Sequence, residues 1–154
     1  MSTLITFLAS FLIWIMFASL FYLYFSDGKI KKEQVLHAIF AFFLAWIIAN
    51  LIKIIFPTVR PFEVNGQIAH TLFANSDGAF PSGHSAAAFA LAVTVWFHDK
   101  KVGVIYLLTA LIVGISRVLG NVHYPIDILG GAILGSLVAF AIEKVHLKKL
   151  LKRA

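Results

Sequence analysis

Between Leu4 and Phe25 the chain carries no ionisable side chain apart from Tyr22 and Tyr24. A helix needs about 20 predominantly apolar residues to cross a bilayer, and this run is long enough. It is too long for the apolar part of a signal peptide, and Met1-Ser2-Thr3 lacks the positive side chain that such a peptide carries. The pattern recurs. A second run spans Gln34 to Phe56 and ends at Pro57, a third runs from Pro81-Ser82 to Phe97, a fourth from Val102 to Val118, and a fifth from Tyr124 to Ile142. Hydrophobic residues make up 60% of the 154 and mean hydropathy is +0.91. A soluble domain of this size has too little interior to hide so much apolar surface. The expected fold is therefore all-α, a polytopic transmembrane bundle of about five membrane helices forming one domain over residues 1–154. The absence of cysteine excludes disulfide frameworks, thiolate metal sites and thiol nucleophiles.

Between the second and third runs, Arg60 to Phe80 holds two turn signals, Asn65-Gly66 and Asn75-Ser76-Asp77-Gly78. Its mixture of Phe62, Val64, Ile68, Leu72 and Phe73 with polar residues fits either a segment lying at the membrane interface or a solvated loop.

The net charge of +6 is explained by where the cations stand. Lys29, Lys31 and Lys32 follow the first run, Lys100 and Lys101 join the third to the fourth, and Lys144, Lys148, Lys149, Lys152 and Arg153 follow the fifth. In an alternating chain these positions share one side, which the positive-inside rule makes cytoplasmic. The N-terminus is then outside and the C-terminus inside, and no surplus charge is left to suggest nucleic-acid binding. His98 and His146 fall among these lysines and are expected to be solvated, while His37 and His70 are expected to act as hydrogen-bonding groups between helices. Lys53, Arg60 and Arg117 oppose the rule, standing at the outer ends of the runs. Cations near membrane depth are costly, which marks these three as functional candidates.

The same outer edge gathers the other unusual residues. Six residues separate Lys53 from Arg60-Pro61; Pro81-Ser82-Gly83-His84 opens the third run; Ser116-Arg117 closes the fourth, with His123 and Asp127 just beyond. Arginine offers paired donors that match phosphate oxygens, and lysine adds a compact charge. Ser82 is a natural helix N-cap, the free N–H groups behind it suit an anion, and Gly83 lets a ligand approach the backbone. His123 and Asp127, at i and i+4, share a helix face, so the carboxylate can fix one ring nitrogen and leave the other to attack. His84 is then placed to protonate a leaving oxygen. Asp127 could instead be a structural carboxylate paired with Arg117. Gly130, Gly131 and Gly135 are expected to be close-packing positions.

On these residues the sequence resembles the type 2 phosphatidic acid phosphatase family, the lipid phosphate phosphatases. That family's signature has three parts: a Lys, six residues and Arg-Pro; a Pro-Ser-Gly-His; and a Ser-Arg, five residues, His, three residues and Asp. Here they stand as Lys53 to Arg60-Pro61, as Pro81 to His84, and as Ser116-Arg117 to His123 and Asp127, in order and correctly spaced. The motif core is thus 53–127. The resemblance implies His123 as nucleophile, Asp127 as its orienter and His84 as general acid, with Lys53, Arg60, Ser82, Gly83 and Arg117 holding phosphate oxygens. It implies no metal or other cofactor, and the sequence offers no carboxylate cluster of the kind a two-magnesium site uses. The expected partners are the bilayer and a lipid phosphate or pyrophosphate: undecaprenyl pyrophosphate, phosphatidylglycerol phosphate, phosphatidic acid or diacylglycerol pyrophosphate. Vanadate-dependent haloperoxidases share the signature but are soluble, against the hydropathy seen here. An anion-binding or transport protein would need the cations but neither histidine. Membrane members of the family commonly have six membrane helices, and five runs place the missing one on the N-terminal side.

Overall fold

The computed structural model describes residues 2–26, 32–72 and 77–151. Lys29, Lys31, Lys152, Arg153 and the Asn75-Ser76 part of the second turn signal lie outside these residues, as do the side chains of Lys32, His146, Lys148 and Lys149. Among the described residues there are six helices and no strand. They are α1 (Ser2–Ser26), α2 (Lys32–Ile55), α3 (Pro61–Asn65), α4 (Gly83–His98), α5 (Lys100–Leu119) and α6 (Pro125–Leu151).

Four of these are long and apolar enough to cross a membrane: the spans Ser2–Phe25, Gln34–Ile55, Lys100–Leu119 and Pro125–Val145. The third expected run forms α4, whose 16 residues at about 1.5 Å each reach roughly 24 Å, short of the ~30 Å hydrocarbon core. Its role is different. Eleven of its sixteen residues are buried, whereas the spanning windows are only 28–39% buried. α4 is the axle of the bundle, packed against α2, α5 and α6, with α1 leaning mainly on α5. Its composition explains this position. Ala86, Ala87, Ala88, Ala90 and Ala92 present small side chains that let neighbouring backbones come close, and Leu91 fills the core beside Ile13, Leu20, Phe42 and Val113.

The glycines of α6 complete the fit. A Cβ on Gly131 would stand 2.6 Å from the Ser82 carbonyl oxygen, and one on Gly135 would stand 2.1 Å from that of Ala86. Both are closer than packed atoms tolerate, so this face of α6 requires glycine. The outer faces keep large apolar side chains such as Phe25, Ile54, Ile105 and Leu137 exposed, as helices bathed in lipid do.

Connections are short at the other end. The Asp99 side chain accepts from the N–H groups of Lys101 and Val102, ending α4 and starting α5 within a residue. His98 departs from the solvated position expected of it. Its side chain is 13% exposed, and its Nε2 lies 3.6 Å from Glu143 Oε2, because α6 crosses its end of α4. His70 is not on a helix; it sits in the irregular segment after α3, where its N–H donates to the Gly120 carbonyl. Asn65-Gly66 does form the expected turn, with Gly66 in the left-handed region at φ 66° closing α3.

Candidate active site

The end of α2, the starts of α4 and α6 and the end of α5 meet at one end of the bundle and surround a cavity of about 440 Å³. Lys53, Arg60, Gly83, His84, Arg117 and His123 all line it. Ser82 and Asp127 stand behind this lining, fully or nearly fully buried.

Each side chain is positioned by local chemistry. Ser82 caps α4: its Oγ accepts from the Ser85 N–H at 3.3 Å and from the Ser85 hydroxyl at 3.1 Å. The helix therefore begins at Gly83 with its free N–H groups at the cavity. The Ser82 N–H donates to the Asp127 carbonyl at 2.9 Å, tying the start of α4 to that of α6. His84 follows in the first turn, and its Nε2 is buried without a hydrogen-bond partner.

His123 is delivered by a tight reversal after α5. The N–H groups of Gly120, Asn121 and Val122 fold back on Ser116, Val118 and Arg117, with Asn121 in the left-handed region at φ 59°, which asparagine tolerates. Paired bonds between the Asn65 and Asn121 side chains, at 2.9 and 3.1 Å, hold this turn against α3. Asp127 accepts from the Tyr124 N–H at 2.8 Å, and its Oδ2 stands 3.4 Å from His123 Nδ1. That is a close polar contact and not an aligned hydrogen bond. It nevertheless turns Nδ1 to the carboxylate and leaves Nε2 for the cavity. Burial pushes the His123 imidazole down to about 4, against the pull of Asp127 and assisted by Arg117, Arg60 and Lys53. The ring is therefore neutral at neutral pH, the state a nucleophile requires.

Arg117 is not paired with Asp127. Its Nη1 donates to the Ala9 carbonyl at 2.9 Å and to Thr71 Oγ1 at 3.1 Å, leaving Nε without a partner. Arg60 reaches inward from the start of α3, where its own N–H donates to Glu63 Oε2. Its guanidinium bonds the carbonyls of Asp77, Gly78 and Val122 and the Asp77 carboxylate. Lys53 Nζ lies 3.3 Å from the same carboxylate.

Asp77, Trp14, Trp46 and Asn50 also line the cavity and were not singled out by sequence. Asn50 and Trp46 precede Lys53 by three and seven residues, the helical spacing of one face, so their position was readable once Lys53 was chosen. Asp77 sits inside a turn signal and looked like part of it. Among the described residues no three His, Asp or Glu side chains gather as metal ligands.

Comparison with known proteins gives the family and the fold. The PAP2 superfamily matches residues 34–150. The bacitracin transport permease protein BcrC of Bacillus licheniformis is 30% identical over 90% of this chain and 68% of its own length. The undecaprenyl-diphosphatase BcrC of Bacillus subtilis is 30% identical over 71% of this chain, which spans 56% of that protein. A transmembrane PAP2 type phosphatidylglycerolphosphate phosphatase from Bacillus subtilis, known from a crystal structure, superposes with a TM-score of 0.68 at 29% identity, covering 96% of this chain and 75% of the other. With its signature residues gathered around one cavity and its fold shared with that enzyme, the chain belongs to the PAP2 superfamily.

Proposed function

We propose that the chain is a membrane lipid phosphatase that hydrolyses a lipid phosphomonoester or pyrophosphate through a phosphohistidine on His123. The observation that carries this is the convergence of two histidines and three cations on one cavity at the end of the bundle. Lys53, Arg60, Arg117 and the first N–H groups of α4 bind the phosphoryl oxygens and match the charge that develops on them in the transition state. His123 Nε2 attacks phosphorus, the bond to the leaving oxygen breaks, and His84 gives that oxygen its proton. Water then attacks the phosphohistidine, His84 takes a proton from it, the P–N bond breaks and orthophosphate leaves. Asp127 keeps the His123 ring in position throughout.

A bacitracin transport permease among the relatives raises the alternative of an anion-handling protein without catalysis. The buried, neutral His123 beside a carboxylate favours the enzyme, because anion binding needs neither. Two expected substrates stand out: undecaprenyl pyrophosphate, from one relative, and phosphatidylglycerol phosphate, from the structural neighbour. Trp14 and Trp46 add an apolar wall to the cavity, suited to the first carbons of a lipid entering sideways.

Phosphate release by detergent-solubilised protein in EDTA, across a panel of lipid phosphates and pyrophosphates, tests the reaction. Turnover is expected to persist in EDTA and to rank the panel. Phosphate binding with no release from any lipid would point to the transporter. The cation distribution supports a cavity on the extracytoplasmic side. An impermeant maleimide is expected to label Gln67→Cys in intact cells and Lys100→Cys only after permeabilisation; the reverse pattern would invert the topology.

A further inference from the structure

We infer that Asp77 is a displaceable carboxylate that occupies the phosphate cradle between turnovers and thereby limits how tightly product phosphate is held. The inference rests on the phosphatase reading and adds a specificity-determining residue to it.

The geometry is that of an anion already bound. Asp77 Oδ1 is 2.7 Å from Arg60 Nη2 and Oδ2 is 3.3 Å from Lys53 Nζ, so one carboxylate bridges two of the three cations proposed for phosphate. The cations are deep, with side chains 3% and 7% exposed, whereas the Asp77 side chain is 43% exposed and lines the open cavity. The deep groups are fixed and the shallow one has room to leave. Burial works against its charge, but Lys53 and Arg60 outweigh that and hold the carboxyl below its ordinary range, so it is ionised at neutral pH.

Arg60 shows why displacement is required. A guanidinium has five N–H donors. Nε serves the Asp77 carbonyl, Nη2 serves Asp77 Oδ1 and the Gly78 carbonyl, and Nη1 serves the Val122 carbonyl. Four donors are thus committed and one is left, too few for a paired grip on a phosphoryl group while the carboxylate stays. A bound phosphate would also face the like charge of Asp77 at close range. Both effects weaken the hold on orthophosphate, whose release frees the site.

The carboxylate is separable from the loop that carries it. The Asp77 and Gly78 carbonyls bond Arg60 through the backbone, the Ala79 N–H donates to the Thr58 carbonyl at 2.9 Å, and the Phe80 N–H donates to Thr58 Oγ1 at 2.8 Å. An asparagine at 77 keeps all of these and loses the charge.

Competitive inhibition by orthophosphate and by orthovanadate, measured for wild type, Asp77→Asn and Asp77→Glu, tests this. Removing one partly screened unit charge is expected to tighten both anions about tenfold in Asp77→Asn, while Asp77→Glu stays near wild type. Unchanged or weaker binding in Asp77→Asn overturns the inference and makes Asp77 a scaffold for Lys53 and Arg60. Should Asp77→Asn fail to fold, Asp77→Ser carries the same expectation. If wild type turns out to release no phosphate, the phosphatase reading falls on that control. Calorimetric titration of orthophosphate into wild type and variant then still reads the tenfold difference.

Discussion

Replacing His123 by alanine is expected to lower turnover by roughly 10⁴–10⁶-fold, the scale on which removing a nucleophile acts in other covalent catalysts. The cations Lys53, Arg60 and Arg117 remain in the variant, so binding of orthophosphate should survive to within a few-fold. This split between lost chemistry and kept binding separates a nucleophile from a ligand. Brief exposure of wild type to radiolabelled substrate followed by denaturation should trap a phosphoryl group that is labile to acid and stable to base, and His123→Ala should trap none. A variant retaining a hundredth of wild-type turnover would remove His123 from the role. The acidity of the ring gives a second check. Because burial lowers His123 to about 4, protonation silences it only as pH falls towards that value. The acid limb of kcat/KM should therefore lie below the ordinary imidazole range near 6.5. A limb at 6.5 that vanished in His123→Ala would show a solvated ring.

The gathering of the candidate site was legible because its residues fall in short, fixed spacings. His123 and Asp127 are one helical turn apart, and Ser82-Gly83-His84 is a cap and the first turn it starts, so local geometry alone joins them. Hydropathy likewise placed every long helix to within a few residues, save the C-terminal end of α6, which continues past the expected Ile142 to Leu151. What escaped was carried by separations no spacing rule covers. Asp77 meets Arg60 across 17 residues and Lys53 across 24, inside a turn whose composition already had an explanation. Arg117 is anchored to the carbonyl of Ala9, 108 residues away. A backbone acceptor has no sequence signature, so the sequence alone left the alternative of an Arg117–Asp127 pair open. His98 and Glu143 meet through the packing of α6 on α4, which turned an expected solvated histidine into a largely covered one. α4 looked like any membrane run by hydropathy, since a buried helix and a lipid-facing one are both apolar all round. Its run of alanines was the distinguishing mark, because small residues serve close packing and offer lipid little.

Replacing His84 by alanine is expected to cost about 10²–10⁴-fold, the usual contribution of a general acid, but unevenly across substrates. The first step needs a proton only in so far as the departing oxygen is a poor leaving group. A lipid alkoxide from a phosphomonoester is poor and should suffer the full loss. A lipid monophosphate expelled from a pyrophosphate is better and should suffer less, and the phenolate of an aryl phosphate such as p-nitrophenyl phosphate least. Steady-state rates of wild type and His84→Ala on the three classes measure this ordering. In the second step the leaving group is always His123, so any loss there is common to all substrates and sets a floor beneath the graded one. A uniform loss across the three classes would therefore deny His84 the acid role and leave it as a binding or packing group. The structure favours the graded outcome: His84 Nε2 is buried and unpartnered in a ring that lines the cavity beside Gly83 and Arg117. A polar atom left without a partner in a buried site is costly, and a leaving oxygen is the partner that would relieve it.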